Sequence, residues 1–320
     1  MRTYRAMRCS GFVQGVVVLT ICLLCFVQTA MAGTSAEELV DRGIEIGQRG
    51  DYDGAIELFS QALRLSPNNA EAYYNRGLAR SVIGDLNGAI DDYTQTIQRK
   101  PRSFEAYNNR GFTRAALGRY AEALVDISLA IAIEPKMAQL YNNRGAVRMS
   151  MSNYRGAIAD FSSAIDLDPV LAGAYNNRGL ARGLDGDLDG SIGDFTLAVR
   201  IDPRYTVAWY NRGNARVSKD DVQGAVEDYT KVLVLDPEMV AARNNRAFAR
   251  LTLGDHAGAL SDLDRVVEAF PDDATGWYNR GVVRKVAGDR LGAIADLTRA
   301  AELGDSLAVT VLEELIAPEH

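Results

Sequence analysis

The chain has 320 residues, of which 47% are hydrophobic and 24% are charged, and its formal net charge at pH 7 is −7. This composition excludes an intrinsically disordered chain, and the acidic balance argues against a nucleic-acid partner, which needs a basic stripe. The two histidines, His256 and His320, are too few for a histidine metal cluster or a histidine acid–base pair.

Residues 1–32 differ in character from the rest of the chain. Arg2, Arg5 and Arg8 precede an apolar run over residues 11–27, and the small residues Ala30 and Ala32 follow it. This order is typical of a secretory signal peptide that is cut before residue 33. The alternative is a retained membrane anchor, because the run approaches spanning length, although polar residues dilute it. We expect cleavage, export to the periplasm or the medium, and no membrane span in the exported chain.

All three cysteines, Cys9, Cys22 and Cys25, lie in this leader. The exported chain therefore has no thiol for a disulfide bond or for a soft metal ion. Removal of the three leader arginines takes the formal net charge from −7 to −10. Packing must stabilise the fold without covalent help.

After the leader, the sequence repeats with a period of 34 residues over eight copies. An arginine followed by a small residue returns at the same place in every copy: Arg42-Gly43, Arg76-Gly77, Arg110-Gly111, Arg144-Gly145, Arg178-Gly179, Arg212-Gly213, Arg246-Ala247 and Arg280-Gly281. A proline returns with the same step at positions 67, 101, 135, 169, 203, 237 and 271. A period of this length without insertions is typical of a stack of helical hairpins.

Each copy contains the pattern of two helices. In the second copy, Tyr73 and Gly77 lie on one apolar stripe and Ala89 and Tyr93 on another, and Pro101 ends the second stripe. Gly77 and Ala89 leave room for the two helices to approach closely, and Tyr93 fills the space beside them. One such hairpin cannot bury its own apolar face, so neighbouring copies must stack.

The residues Tyr73, Gly77, Ala89, Tyr93 and Pro101 resemble the signature of the tetratricopeptide repeat. The resemblance extends over residues 36–307 and implies an all-α fold, a right-handed superhelical solenoid of helix-turn-helix hairpins. The predicted repeats are residues 36–69, 70–103, 104–137, 138–171, 172–205, 206–239, 240–273 and 274–307.

A further helix is predicted over residues 306–317, after the eighth copy. Leu307, Val311, Leu312 and Leu315 fall on one side of it, and two glutamates fall on the other. Repeat arrays need a terminal element with a polar outer face, so we interpret this helix as the C-terminal cap.

Asparagine stands two residues before the glycine position in every copy after the first: Asn75, Asn109, Asn143, Asn177, Asn211, Asn245 and Asn279. At about 100° per residue, Asn75 lies roughly 160° around the helix from Gly77. It therefore faces away from the hairpin partner, toward the concave groove that the resemblance implies. The amides fit recognition of an extended peptide backbone, because each can both donate and accept hydrogen bonds. The alternative is that they brace neighbouring repeats or were simply copied by duplication.

Other side chains share this stripe and define the expected ligand. They are Leu78, Phe112, Ala146, Leu180, Asn214, Phe248 and Val282, with Glu71, Glu105 and Gln139 at the edge and Tyr74, Asn108, Asn142, Asn176, Tyr210, Asn244 and Tyr278 beside the asparagines. No lysine is evident among them, so a ligand with an acidic C-terminal tail is not favoured. An extended segment that is uncharged or mildly basic is expected.

A second set repeats from the second copy onward, with two arginines four residues apart on the first helix and an aspartate on the second. It includes Arg76, Arg80 and Asp92, then Arg144, Arg148 and Asp160, and then Arg212, Arg216 and Asp228. The arginines repel each other unless a carboxylate neutralises them. In the first copy Ile46 and Leu58 replace the second arginine and the aspartate together, which supports their pairing. The set offers no nucleophile and no proton carrier near neutral pH, so we predict a structural role.

One segment imitates a calcium-binding loop. Residues 185–190 match the opening of such a loop, but Thr196 stands where a bidentate glutamate is required. The segment also falls on the ordinary turn between two helices, so neither a metal nor a cofactor is predicted.

These patterns predict a binding module that holds an extended segment of a partner protein. Self-assembly into a structural homo-oligomer is the second hypothesis, and glycan binding during polysaccharide export is the third. An enzyme is the weakest interpretation, since no acid, base, nucleophile or metal site stands apart from the repeat.

Overall fold

A computed structural model describes residues 35–317 of the chain. The leader predicted for residues 1–32 and its three cysteines lie outside the described residues. Residues 35–317 form α-helices and contain no β-strand, which confirms the prediction of an all-α protein built from tandem hairpins. Within this range, no helix has the length and the apolar character needed to cross a bilayer.

Each predicted repeat contains two helices, which we call helix A and helix B. The A helices are α1 (Ala36–Gln48), α3 (Ala70–Val82), α5 (Phe104–Ala116), α7 (Ala138–Ser150), α9 (Ala172–Leu184), α11 (Thr206–Ser218), α13 (Val240–Thr252) and α15 (Ala274–Val286). The B helices are α2 (Tyr52–Leu65), α4 (Leu86–Arg99), α6 (Tyr120–Ile133), α8 (Tyr154–Leu167), α10 (Leu188–Ile201), α12 (Val222–Leu235), α14 (His256–Ala269) and α16 (Arg290–Glu302). The last helix is α17 (Ser306–Ile316).

The helices form two compact units, which divide after Pro135. The first unit contains α1–α6, and the second contains α7–α17. Within each unit, helix A packs against helix B of its own repeat, and helix B packs against helix A of the next. This stacking supplies the apolar burial that a single hairpin lacks.

Most of the turns between helices A and B share one arrangement, in which a glycine of positive φ precedes a capping aspartate. The carboxylate of Asp85 accepts a hydrogen bond from the Gly88 backbone nitrogen at 3.0 Å and so caps the N-terminus of α4. Gly84, just before it, has a φ of +87°, a conformation that glycine adopts without strain. In the segment that imitates a calcium loop, Asp187 caps α10 in the same way, through the Gly190 nitrogen at 2.9 Å. Of the other acidic residues there, Asp185 lies 3.7 Å from Arg155 and Asp189 pairs with Lys219 at 3.0 Å.

The hairpin core depends on a glycine that lies against a large side chain. A Cβ atom on Gly77 would lie 2.8 Å from Cε1 of Tyr93, so this position excludes even alanine while the ring stays in place. Tyr93 is only 1% exposed, and Ala89 beside it is fully buried. The predicted close approach of the two helices is confirmed at this contact.

The packing of the terminal helix α17 differs from the prediction at one residue, Leu307. Ala308 is fully buried against Leu297 and Ala300, and Val311, Leu312 and Leu315 pack around them. Leu307, predicted on the packed side, is 62% exposed. The small Ala308 permits the closest approach to α16, which turns its neighbour Leu307 outward. The prediction for Leu307 was wrong.

Candidate functional site

The structure brings the two arginines and the aspartate together in each repeat from the second to the eighth. In the second repeat, Arg76 donates from Nε and Nη2 to the two carboxylate oxygens of Asp92 at 2.9 and 2.7 Å. Arg80 donates from Nη1 to Oδ2 of the same carboxylate at 2.7 Å. Asp92 is 2% exposed, so its charge is neutralised almost out of contact with water.

The same charge cluster is present in every repeat from the second to the eighth. Its aspartates are Asp92, Asp126, Asp160, Asp194, Asp228, Asp262 and Asp296, each within 3.0 Å of two arginines. The hydrogen bond that Arg178 donates to Asp194 raises the pKa of Arg178, and the hydrogen bond that Arg280 donates to Asp296 raises the pKa of Arg280. The guanidinium groups therefore stay charged.

The first arginine also reaches the preceding repeat, which the sequence analysis missed. Arg76 donates from Nη1 to Oγ of Ser60 at 3.0 Å. The equivalent arginines of the third, fifth, sixth and seventh repeats bind the hydroxyls of Thr94, Ser162, Thr196 and Thr230. In the eighth repeat the acceptor is the carboxylate of Asp264, at 2.7 Å. The recurring hydroxyl residue was the available sequence signal.

Aromatic rings at the position of Tyr73 complete this packing. The guanidinium of Arg212 lies over the ring of Trp209, 4.6 Å from its centroid, and Arg280 lies 4.9 Å from the ring of Trp277. The indole nitrogens donate to the Pro203 and Pro271 carbonyl oxygens at 3.1 and 2.9 Å. The charge clusters therefore hold helices together and present no reactive group to solvent.

The seven asparagines predicted to bind a ligand lie on the A helices α3, α5, α7, α9, α11, α13 and α15. Six of them, Asn75, Asn109, Asn143, Asn177, Asn211 and Asn245, are half-buried. Asn279 is different, since only 8% of it is exposed. Its amide is the least accessible to a ligand.

Several of these amides bind the preceding repeat. Asn109 donates from Nδ2 to the Tyr74 hydroxyl at 3.0 Å, and Asn245 donates to the Tyr210 hydroxyl at 3.1 Å. Donor and acceptor are 35 residues apart in both pairs. The tyrosines beside the asparagines therefore hold the amides in place.

In the second unit, four amides form a chain of hydrogen bonds. Asn211 donates to Asn176 at 3.0 Å, Asn176 donates to Asn177 at 3.3 Å, and Asn177 donates to Asn142 at 3.1 Å. The chain links α7, α9 and α11. Such chains polarise each bond and fix the orientation of every amide in them.

Two of the remaining three amides, those of Asn75 and Asn143, are oriented within their own helices. Asn75 donates to the Glu71 carbonyl oxygen at 3.0 Å, and Asn143 accepts from Gln139 at 2.9 Å. The asparagine rows are thus ordered before any ligand arrives.

Two cavities open beside the A helices, and an asparagine of the row lines the second of them. One, of 760 Å³ in the first unit, is lined by Glu71, Tyr74 and Lys100 among others. The expectation that no lysine lies near this face was therefore incomplete, because Lys100 follows helix B and was outside the stripe considered. The other cavity, of 320 Å³ in the second unit, is lined by Asn245 and the half-exposed Phe248.

Sequence models of the repeat match most of the chain. The model described as TPR repeat matches residues 48–81, and the model described as tetratricopeptide repeat matches residues 82–137, 143–206, 210–274 and 249–308. The chain belongs to the tetratricopeptide repeat family. Comparison with curated protein sequences gave no significant match.

Solved structures share the tetratricopeptide repeat fold with this chain. A repeat protein from Parabacteroides merdae is 20% identical with a TM-score of 0.51, and the match covers 89% of this chain and 100% of that one. The Cut9-Hcn1 hetero-tetramer is 15% identical with a TM-score of 0.56, covering 89% of this chain and 56% of that one. The MamA protein is 28% identical with a TM-score of 0.49, covering 54% of this chain and 94% of that one.

Proposed function

We propose that this tetratricopeptide repeat protein is a non-enzymatic scaffold that binds an extended segment of another protein along the asparagines of its A helices. The observation that carries the proposal is the row of pre-oriented amides in the second unit, made by Asn143, Asn177, Asn211 and Asn245. Family membership supports a role in protein interaction and leaves the partner open.

Bonds between repeats do not use up the amides. A side-chain amide has two N–H donors and a carbonyl oxygen with two lone pairs. The bond from Asn211 to Asn176 uses one donor of Asn211. The bond holds the amide in one rotamer, which lowers the entropy that binding would otherwise cost. We therefore assign the asparagines both roles, bracing of the repeats and recognition.

The spacing of the amides suits an extended chain. Helices in contact lie about 8–10 Å apart. An extended peptide advances about 3.3 Å per residue. Adjacent A helices such as α9 and α11 are in contact. One amide per repeat can therefore bind the backbone of the extended peptide about once every three peptide residues. Because these contacts are to the peptide backbone, the proposed site would accept peptides of many different sequences.

The proposed setting is the cell envelope or the medium, on the strength of the leader in residues 1–32. The formal net charge of −7 favours an uncharged or mildly basic segment over an acidic one.

The test is selection of binders from a displayed library of random twelve-residue peptides, using the purified chain. The variant carries Asn143→Ala, Asn177→Ala, Asn211→Ala and Asn245→Ala together. The matched control carries Asp166→Ala, Arg200→Ala and Glu268→Ala, which are exposed positions on B helices. We expect the control to bind the selected peptides normally, and the variant to lose them while circular dichroism shows full helicity. Equal binding by all three proteins would overturn the proposal.

Self-association is a second candidate, favoured by the apolar side chains that α17 exposes. Leu307 is 62% exposed and Ile316 is 57% exposed, on a helix that ends the described repeats. Sedimentation velocity at micromolar concentration tests it. A monomeric chain would exclude self-association. A dimer that becomes monomeric in Leu307→Ser would establish it.

A further inference from the structure

The sixth repeat departs from the others at two positions that meet in one pocket. Asn214 stands where other repeats carry an apolar residue, namely Leu78, Phe112, Ala146, Leu180, Phe248 and Val282. Asp220 stands where six repeats carry a glycine of positive φ. Both residues line the 320 Å³ cavity between α11, α12 and α13. At the sixth repeat these two departures meet in one cavity, and they give it a polar wall and a charged rim that the corresponding residues of the other repeats would not supply.

Asn214 is held at the wall of this pocket. The Tyr229 hydroxyl donates to its Oδ1 at 2.7 Å, and Asn245 donates to the same oxygen at 3.0 Å. Tyr229 is 1% exposed, and burial raises its pKa to about 12, so the hydroxyl remains a donor at neutral pH. Two bonds to one oxygen fix the amide in place.

Asp220 occupies a strained conformation at the rim. Its φ is 61°, which costs an ordinary residue about 1–2 kcal/mol and an aspartate somewhat less. Its side chain is exposed and forms no ion pair within residues 35–317. The carboxylate therefore stands exposed at the rim, where it can meet a ligand, at a cost in stability that glycine would not carry.

The walls between rim and floor are mostly apolar. They include Val217, Val222, Phe248 and Ala249, with the polar Thr252 beside them, and Phe248 keeps 37% of its surface exposed. The volume is several times the ~30 Å³ that a water molecule occupies. The pocket therefore accommodates a long side chain with an aliphatic stem, and its rim offers one negative charge.

We infer that this pocket binds one lysine or arginine side chain of the bound segment. The stem would contact the valines and Phe248, and the cationic head would meet the Asp220 carboxylate and the face of the Phe248 ring. An acidic side chain is repelled by Asp220, and an aliphatic one leaves that carboxylate unpaired. The inference rests on the proposed function, and it adds the class of residue that this repeat selects.

The test compares two analogues of a peptide selected by the purified chain, one with its lysine and one with norleucine, which keeps the stem and removes the charge. Fluorescence anisotropy with labelled peptides gives both affinities. We expect norleucine to weaken binding about fivefold, as an exposed ion pair does. In Asp220→Gly, which restores the residue of other repeats, we expect the two peptides to bind equally.

Ser152→Gly is the matched control, because Ser152 has the same left-handed backbone at φ 57° in the fourth repeat and does not line the pocket. It should retain the preference for lysine. Norleucine binding equal to lysine in the native chain, or a preference that survives Asp220→Gly, overturns the inference alone. Failure to select any peptide that depends on the asparagines overturns the proposed function with it.

Discussion

The charge cluster of the sixth repeat gives the most quantitative prediction. Asp228 is 1% exposed and accepts from Arg212 at 2.9 and 2.7 Å and from Arg216 at 3.0 Å. The side chains of these arginines are 9% and 21% exposed. Asp228→Leu leaves the nearly buried guanidinium of Arg212 without a carboxylate, and it leaves Arg216 with Asp221 alone, at 3.3 Å. Loss of one partner from a buried ion pair costs about 3–5 kcal/mol, and we expect a loss of this size.

The first repeat supplies the compensating change. There Ile46 and Leu58 take the places of the second arginine and the aspartate, and both pack against the core around Phe59. The double variant Arg216→Ile with Asp228→Leu copies this arrangement. Arg212 then keeps the Thr196 hydroxyl at 3.2 Å and the Trp209 ring. We expect the double variant to recover at least half of the stability that Asp228→Leu loses.

The assay must resolve single repeats, because repeat arrays need not unfold in one step. Native-state hydrogen exchange of the α11, α12 and α13 amides reports the local free energy of opening. Urea unfolding of the whole chain is the companion measurement. A loss below about 1 kcal/mol for Asp228→Leu, or equal losses for the single and double variants, refutes the reasoning.

Three further outcomes are expected. Ser152→Gly should raise the free energy of unfolding by about 1 kcal/mol, because it removes a non-glycine residue from φ 57°; an unchanged urea midpoint would contradict this. Gly145→Ala should lower the free energy of unfolding in urea by about 1–3 kcal/mol, since the added Cβ would lie 2.6 Å from Cε1 of Phe161. Adding Phe161→Leu should restore part of this loss, because the seventh repeat accommodates an alanine and a leucine at the same two positions. Effects of the two substitutions that simply add up would contradict the contact. Burial raises the pKa of Tyr93 and Tyr229 to about 12, so the stability that each contributes is complete below pH 10 and is lost as the pH rises toward 12. The double variant Tyr93→Phe with Tyr229→Phe should therefore lose less free energy of unfolding between pH 8 and pH 11 than the native chain. An identical loss in the two proteins would exclude this cause.

The sequence was informative wherever a feature recurs at the period of the repeat. The hairpins, the contact of Gly77 with Tyr93 and the pairing of arginines with Asp92 all lie within one repeat. Short-range helix geometry and comparison among copies were enough to place them.

Features that connect neighbouring repeats could not be placed in this way. The Ser60 hydroxyl that binds Arg76 and the Tyr74 hydroxyl that binds Asn109 depend on how one hairpin packs on the next. The orientation of Leu307 depends on the close approach that Ala308 permits. The pocket at Asp220 required three helices to be assembled before its lining could be recognised.

The central claim is that the asparagines bind a ligand in addition to bracing the repeats. The most direct test compares Asn177→Ala with Asn142→Ala. Both variants remove the 3.1 Å hydrogen bond between repeats, and the first also removes the 3.3 Å bond from Asn176. Only the first removes an amide of the asparagine row. Titration calorimetry with a selected peptide should show about a tenfold loss of affinity for Asn177→Ala, the worth of one lost hydrogen bond, and little change for Asn142→Ala. Equal losses for the two variants would contradict the claim and leave the asparagines with a structural role alone.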